Sequence, residues 1–476
     1  MKRLFVVAVA ITAGVAVSAA VPGGDPPIVH VLNRIAFGPR PGDVEKVRGI
    51  GLERYIDQQL RPDRLPDAAM SDRLRLLTTI GLSADEIAER YERPVMEARR
   101  ERRQQDKEGD AATAPQKARD PMRQQANTLV AELAEQKLLR AVYSERQLQE
   151  VLTDFWFNHF NVDARKNRER FLLTVYERDA IRPHVLGSFR DLLEATARNP
   201  AMLVYLDNWM SAAETAPGAT VARRREPSVT APGGVARKRA PRGLNENYAR
   251  ELMELHTLGV DGGYTQQDVT EVARAFTGWT IEPPRRGSGF RFEPRMHDAG
   301  AKVVLGHAIK AGGGESDGER VLEILAAHPA TARFIATKLV RRFVSDVPPP
   351  ALVDRAAARF RDTGGDLREV TRTILTSPEF LSPAAYYAKV KTPFEFVVSA
   401  LRATSAKVDD ARPIVREVQQ LGMPLYMCQP PTGYRDTADA WVNTGALVGR
   451  LNYALKLAGS DNDLALTLGA PEFQKR

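Results

Sequence analysis

The most varied group of chemically active side chains lies within residues 245–268, which read NENYARELMELHTLGVDGGYTQQD. Asn247, Glu251 and Glu254 fall within about 60° of one another when this stretch is drawn as a helix. Oxygen ligands grouped on one helical face suit a hard divalent cation. The three residues are therefore candidate metal ligands, and either glutamate is also a candidate general base for a metal-assisted reaction.

Histidines that would complete such a site lie elsewhere along the chain. The offset of His256 from the glutamates differs from the Glu-x-x-His spacing of di-metal helical bundles. His159, which follows Asn158 in TDFWFNHFNV, is a candidate ligand or acid, and His297 with Asp298 forms a further candidate pair. Only the tertiary structure can bring these residues to the glutamates of 245–268.

The same residues also have a purely structural interpretation. His159 stands among Trp156, Phe157 and Phe160, where a buried imidazole needs no more than a hydrogen-bond partner. The glutamates of 245–268 border an apolar stripe, so they can hold neighbouring helices in place. The structural interpretation is favoured for His159, and both remain open for the glutamates.

Motifs of several common enzyme classes are missing from the sequence. It contains no Walker A motif, no G-x-S-x-G, no Rossmann fingerprint and no H-E-x-x-H. Cys428 is the only cysteine, and its apolar neighbours and the lack of a nearby histidine indicate a buried, inert thiol.

Two helices joined by a tight turn must position the residues of 245–268. The first helix is expected to end at Gly259, because glycine readily adopts the left-handed conformation that stops a helix. Thr265 and Asp268 have the spacing of a capping box, which predicts a second helix from Gln266 to about residue 277.

Helical periodicity dominates the remainder, which predicts a mostly α, multi-helix globular protein. One small β hairpin is predicted near 289–306, where aromatic and charged residues alternate. We expect an N-terminal helical lobe over 25–210, a central helix-turn-helix with the hairpin over 244–310, and a C-terminal helical lobe over 316–470. A charged linker near 103–120 interrupts the first lobe.

The net charge of +8 is concentrated in one segment. Residues 211–243 hold six Arg, one Lys and two Glu among Pro, Gly and Ala, and they show no apolar periodicity. This composition predicts a disordered basic insert, either a solvated loop or a contact for an anionic envelope polymer. Because its arginines lack aromatic neighbours for base stacking, nucleic-acid binding is not expected.

The N-terminus has the pattern of a signal peptide over residues 1–20. Two basic residues precede an apolar run over 4–17, and small residues then allow cleavage after Ala19 or Ala20. An uncleaved anchor is the alternative, but the run is shorter than the roughly 20 residues of a membrane-spanning helix. We therefore expect export to the periplasm or the extracellular space.

Six segments in this order resemble the bacterial family called domain of unknown function 1800. The block NENYAREL…HTLGVDGGYTQ is the most specific of them, and the resemblance spans almost all of the chain after the signal peptide. The segments are LNRIAFGPRPGDVEKVRGIGLERYIDQQL (32–60), LTDFWFNHFNV (152–162), GLNENYARELMELHTLGVDGGYTQQDVTEVARAFTGWT (243–280), HDAGAKVVLG (297–306), HPATARFIATKLVRRFVSD (328–346) and GYRDTADAWVNTGALVGRLNYAL (433–455).

The resemblance implies an exported protein, because members of that family are mostly exported. It also implies a secreted partner related to alkaline phosphatases or sulfatases, since such proteins are often encoded beside the family. No catalytic residue is implied, because the family has no agreed mechanism.

Two functions are therefore consistent with the sequence. The first is an exported α-helical scaffold or binding module that works with a secreted partner. The alternative is a metal-assisted hydrolase that acts on a surface polysaccharide or ester, with a divalent metal as its cofactor.

Overall fold

A computed structural model describes residues 25–108, 121–166, 168–213, 243–283 and 288–476. The predicted signal peptide, most of the basic insert and much of the charged linker lie outside the described residues. Those three assignments therefore stay predictions. None of the described helices combines the length and the apolar character that a membrane span requires.

The described chain is mostly α-helical, which confirms the predicted fold class. Its strands form two small antiparallel sheets, in which β1 (Trp279–Ile281) pairs with β2 (Phe290–Phe292) and β3 (Lys302–Val304) pairs with β4 (His307–Ile309). The predicted hairpin stretch 289–306 therefore supplies one strand to each of two hairpins. A short 3-10 turn over Pro294–Met296 follows β2, and β3 begins a new pair after it.

The helices that precede residue 160 pack largely around α7 and α8. A π-helical turn over Ala88–Glu92 connects two of them. Their bounds are α1 (Pro26–Ile35), α2 (Asp43–Ile50), α3 (Leu52–Gln59), α4 (Ala68–Leu74), α5 (Ala84–Ile87), α6 (Arg93–Glu108), α7 (Pro121–Tyr143) and α8 (Gln147–His159).

The middle of the chain contains the two helices predicted from residues 245–268. The first continues as a π-helical turn over Leu252–Thr257, and Gly259 adopts φ +83° beyond it. Thr265 and Asp268 form the capping box that the sequence predicts. The helices of this region are α9 (Leu173–Val175), α10 (Phe189–Ala197), α11 (Pro200–Tyr205), α12 (Glu246–Glu251) and α13 (Gln266–Ala275).

The C-terminal part is again helical, and prolines begin several of its helices, where a missing backbone N–H costs nothing. Residues 421–443 between the third-last and second-last helices contain only one short 3-10 turn. The helices are α14 (Glu315–Ala327), α15 (Pro329–Phe343), α16 (Pro350–Asp362), α17 (Leu367–Leu375), α18 (Pro378–Leu381), α19 (Pro393–Ala403), α20 (Arg412–Gln420), α21 (Thr444–Ala458) and α22 (Asn462–Gly469).

One hydrophobic cluster joins helices from all three predicted lobes. Trp156 of α8 and Phe276 just after α13 are fully buried in it, as are Leu339 and Phe343 of α15. Because α8 and α15 are fixed by this packing, the polar side chains on their other faces are also held in place. The boundaries of the predicted lobes themselves stay predictions.

The Thr265 capping box can be tested by removing its hydroxyl. Thr265→Ala should lower the free energy of unfolding by about 1 kcal/mol, because the Asp268 amide loses its acceptor. Thr265→Ser keeps the hydroxyl and should stay within about 0.5 kcal/mol of the parent protein. Denaturant unfolding measures both, and equal stability of the two variants would show that the cap contributes nothing.

Candidate ligand-binding cleft

A cavity of about 410 Å³ lies between α8, α15 and the connection that precedes α21. Three segments that carry the family resemblance contribute to its walls, namely 152–162, 328–346 and 433–455. We call this cavity the cleft. Its polar lining consists of Lys137, Asp154, Asn158, His159, Asn161, Lys338, Arg341, Arg342, Asp346, Thr392, Thr432, Arg435, Asp436 and Thr437.

The face of α15 toward the cleft is cationic because of helical spacing. Lys338, Arg341 and Arg342 follow one another at i, i+3 and i+4, so they share one side of the helix. Leu339 and Val340 lie on other sides and are fully buried in the core. Packing of the apolar face therefore directs three basic side chains toward the cleft.

His159, the last residue of α8, is held in one tautomer. Its Nε2 lies 3.1 Å from the carbonyl oxygen of His256, and a carbonyl can only accept, so Nε2 carries the proton. Nδ1 is then an acceptor, and the Lys338 Nζ donates to it at 2.8 Å. Burial and the neighbouring charge of Lys338 lower the pKa of His159 well below its usual range. The imidazole is therefore neutral at physiological pH.

Lys338 is a cation without a carboxylate partner. Within the described residues, no Asp or Glu oxygen lies within 4 Å of its Nζ, and its one protein hydrogen bond goes to the neutral His159 ring. Burial and repulsion from Arg341 lower the pKa of Lys338 to about 8, and the more distant Asp436 opposes this shift only in part. The ammonium is therefore poorly compensated inside the cleft.

Most other basic groups of the cleft have carboxylate partners, but within the described part of the chain Arg341 contacts only the backbone oxygen of Asp346, at 3.4 Å. Lys137 lies 2.5 Å from Asp154, and its Nζ also faces the ring of Tyr426 at 5.1 Å. Arg342 binds Glu395 at 2.6 Å. Among the basic side chains of the described cleft lining, Lys338 and Arg341 are therefore the two without a carboxylate partner.

One side of the cleft is closed by the 423–437 segment. Asn158 binds both backbone groups of Tyr434, since its Nδ2 donates to the carbonyl at 2.8 Å and its Oδ1 accepts from the amide at 2.7 Å. Asn161 Nδ2 donates to the carbonyl oxygens of Cys428 and Pro430. Two amides at the end of α8 thus anchor the segment.

Gly433 is required for this close approach. Its φ of +73° is in the left-handed region, and an added Cβ would lie 2.2 Å from the backbone oxygen of Asn158. Cys428 in the same segment is buried, as predicted, and burial raises the pKa of its thiol to about 11. The thiol is therefore protonated at neutral pH.

The structure places the predicted metal ligands at separate positions. Among the described residues, no group of three or more His, Cys, Asp and Glu could hold a metal ion. His159 lines the cleft, whereas Asn247 and Glu251 line a second, more open cavity of about 630 Å³. The Glu254 carboxylate accepts a hydrogen bond from the Tyr264 hydroxyl at 3.0 Å.

His297 and Asp298 support the hairpin region and have partners of their own. His297 Nε2 lies 3.2 Å from Asp317, and Asp317 also binds the buried Lys302 at 2.7 Å. Asp298 forms a two-point ion pair with Arg274, at 2.8 and 3.1 Å. These contacts link the segment before β3 to α13 and α14, which is a structural role.

Residues 30–475 match the model of a family described as Protein of unknown function (DUF1800). The chain belongs to this family. No curated protein and no solved structure matches the chain. The DUF1800 match covers nearly the whole described chain, so the resemblance seen in the sequence is confirmed, whereas the chemistry has to be argued from the cleft.

Several residues that line the cleft of this DUF1800 protein belong to no recognisable catalytic or metal-binding motif in the sequence. Lys338, Arg341 and Arg342 look like ordinary charges near a helix C-terminus, where cations complement the helix dipole. Asn158 is a candidate site residue together with His159 in the sequence, but its contact with the backbone of Tyr434 is visible only in the structure. The one sequence signal was that all four lie in segments of the family resemblance.

Asn158 can be tested with a substitution of equal size. Asn158→Asp places a carboxylate oxygen against the Tyr434 carbonyl, so the loss of this bond should cost about 1–3 kcal/mol. We expect faster amide hydrogen exchange across the 423–437 segment. Asn452→Asp, at an exposed position of α21, is the control and should leave this exchange unchanged. Identical exchange in both variants would contradict the anchoring role.

Glu251 provides a test of the metal-ligand hypothesis. Burial and the charge of Glu254 raise the pKa of Glu251, and its carboxylate makes no hydrogen bond or ion pair to a described residue. With a raised pKa, the contribution of Glu251 to stability is present at acid pH and is lost as pH rises through the folded pKa. At neutral pH, Glu251→Gln should therefore raise the free energy of unfolding slightly, by about 0.3 kcal/mol.

Glu254→Gln is the matched control for that substitution. It removes the same repulsion but weakens the bond from Tyr264, so it should be the less stable variant. Denaturant unfolding and elemental analysis should be run on both. Loss of a bound divalent metal in Glu251→Gln would instead establish Glu251 as a ligand.

Proposed function

We propose that this DUF1800 protein is an exported α-helical binding module whose cleft holds an anionic group of its ligand. The observation that carries the proposal is the Lys338 ammonium, which lines the cleft and lacks a carboxylate partner among the described residues. A poorly compensated cation in a half-buried site destabilises the protein by itself, and a bound anion offsets that cost.

The surroundings of Lys338 fit an oxyanion. Arg341 adds a second cation on the same side of α15, and it also lacks a carboxylate partner among the described residues. The neutral His159 orients the Lys338 Nζ without neutralising it. Carboxylate, sulfate and phosphate ester groups all accept hydrogen bonds from such donors.

The size of the cleft indicates which part of a ligand enters it. A cavity of about 410 Å³ accommodates a small molecule or one terminal unit of a longer chain. We propose an anionic unit of an envelope polymer as this ligand, with the basic insert at 211–243 as a further contact for the same polymer. A secreted partner related to alkaline phosphatases or sulfatases, expected by family analogy, would act on the bound material.

The metal-assisted hydrolase remains the alternative function. Glu254, His297 and Asp298 are each engaged by a protein side chain, which favours structural roles for them over catalysis. Binding through the cationic cleft therefore has the better support from the described contacts.

Titration calorimetry with sulfate and with acetate tests the proposal. Lys338→Met should weaken binding by about tenfold or more, because a hydrogen bond to a charged group is lost. Lys310→Met removes an exposed lysine away from the cleft and should bind like the parent protein. Equal affinities for both variants, or no binding by the parent protein, would contradict the proposed function.

The affinity for sulfate measured in this titration should decrease at alkaline pH. The pKa of Lys338 is lowered to about 8, so the affinity for sulfate should fall as pH rises through this value at constant ionic strength. The effect on stability has the opposite sign. The free energy of unfolding should increase as pH rises from about 8 toward 10.5, because the buried ammonium loses its proton in the folded state first. At pH 7, Lys338→Met should therefore melt at a higher temperature than the parent protein, while Lys310→Met should not.

A further inference from the structure

We propose that the Lys338 amine forms an imine with an aldehyde or ketone carbonyl of an anionic ligand held in the cleft. This inference rests on the proposed binding function and adds a covalent step to it. It concerns one atom, the Lys338 Nζ, and the geometry around it.

The Lys338 Nζ is positioned for attack on a bound ligand. Its bond of 2.8 Å to His159 Nδ1 fixes the amine at the wall of the cleft, and Lys338 itself lines the cavity. His159 cannot turn its N–H toward the amine, because that N–H donates to the His256 carbonyl. The amine is thus oriented by an acceptor that leaves its other positions free for a ligand.

Position 338 carries a lysine, although an arginine, which is a permanent cation, would bind an anion equally well. Arginine remains protonated in proteins, whereas a lysine in a desolvated, cationic environment releases its proton readily. The charged or titratable groups that influence the Lys338 amine are Arg341 on its own helix, His159 and His256 from neighbouring elements, and Asp436 across the cleft.

These groups leave a useful fraction of free amine. Both histidines are neutral, Arg341 repels the ammonium, and Asp436 is too distant to form an ion pair with it. Because the pKa of Lys338 is lowered to about 8, the free amine is more accessible near neutral pH than in a lysine with an ordinary pKa. Nucleophilic lysines of other proteins are activated by the same combination of desolvation and a neighbouring cation.

The reaction needs no oxidant, reductant or further reactant. The nitrogen lone pair attacks the carbonyl carbon, a C–N bond forms, and the carbonyl oxygen takes up the proton that the nitrogen loses. The hydroxyl group of this carbinolamine then gains a proton from solvent and leaves as water as the C–O bond breaks, and a protonated imine remains. Each step is reversible, and the released water can return to hydrolyse the product.

The cleft restricts which carbonyl compounds fit. A ligand with a carboxylate next to its carbonyl could place the carboxylate against the Arg341 guanidinium and the carbonyl carbon against the Lys338 Nζ. We therefore infer a 2-oxo acid group as the ligand class. Glyoxylate is the smallest probe with this arrangement.

Reductive trapping tests the proposal on the full-length protein. Glyoxylate and cyanoborohydride convert an imine into a stable secondary amine, which peptide mapping by mass spectrometry can locate. At pH 7, we expect at least about tenfold more adduct on Lys338 than on the exposed Lys310. Lys338→Arg keeps the positive charge and should lose this adduct, whereas Lys310→Arg should retain it.

The outcomes separate the covalent step from the binding function. Sulfate binding without an adduct on Lys338, or an adduct spread evenly over exposed lysines, would overturn the imine and leave the binding function intact. Absence of both sulfate binding and the adduct would overturn both. Since the peptide map of the parent protein alone locates the adduct, the result does not depend on whether Lys338→Arg folds.

Discussion

The hydrogen bond between Lys338 and His159 connects the parts of the molecule that build the cleft. Lys338 belongs to α15 and His159 ends α8, while the His256 carbonyl on the other side of the imidazole belongs to the π-helical turn after α12. A single neutral ring therefore joins three elements that are remote in sequence. Its tautomer, and with it the direction of the Lys338 amine, follows from a backbone carbonyl that can only accept.

Residues 245–268, the most specific block of the family resemblance, help to orient the His159 ring. The segment 245–268 contributes the His256 carbonyl behind the cleft, whereas its glutamates face other surroundings. His256 lies in the π-helical turn that precedes Gly259, and the capping box at Thr265 begins the next helix. The block therefore supports the cleft from behind, and its polar residues act mainly on neighbouring helices.

A buried charge network also supports the wall of the cleft that α15 forms. Arg342 and Arg476 both contact Glu395, at 2.6 and 3.3 Å. Burial by itself would raise the pKa of Glu395, but these two guanidinium groups lower it to about 2. Lys389 binds Asp346 at 2.6 Å. Because these groups compensate one another, they hold α15 and α19 together, and they contrast with Lys338, whose charge has no such partner.

The sequence by itself determined the helical fold class, the capping box at Thr265, the helix stop at Gly259 and the family, because each depends on local spacing or on ordered blocks of residues. Only the tertiary structure decided which polar groups meet. Lys338 and His159 are 179 positions apart, and their contact depends on how two amphipathic helices pack. Periodicity shows which face of a helix is buried, but it does not show which other helix packs against that face. For this reason the separate positions of Glu251, His297 and His159 became visible only in the folded chain.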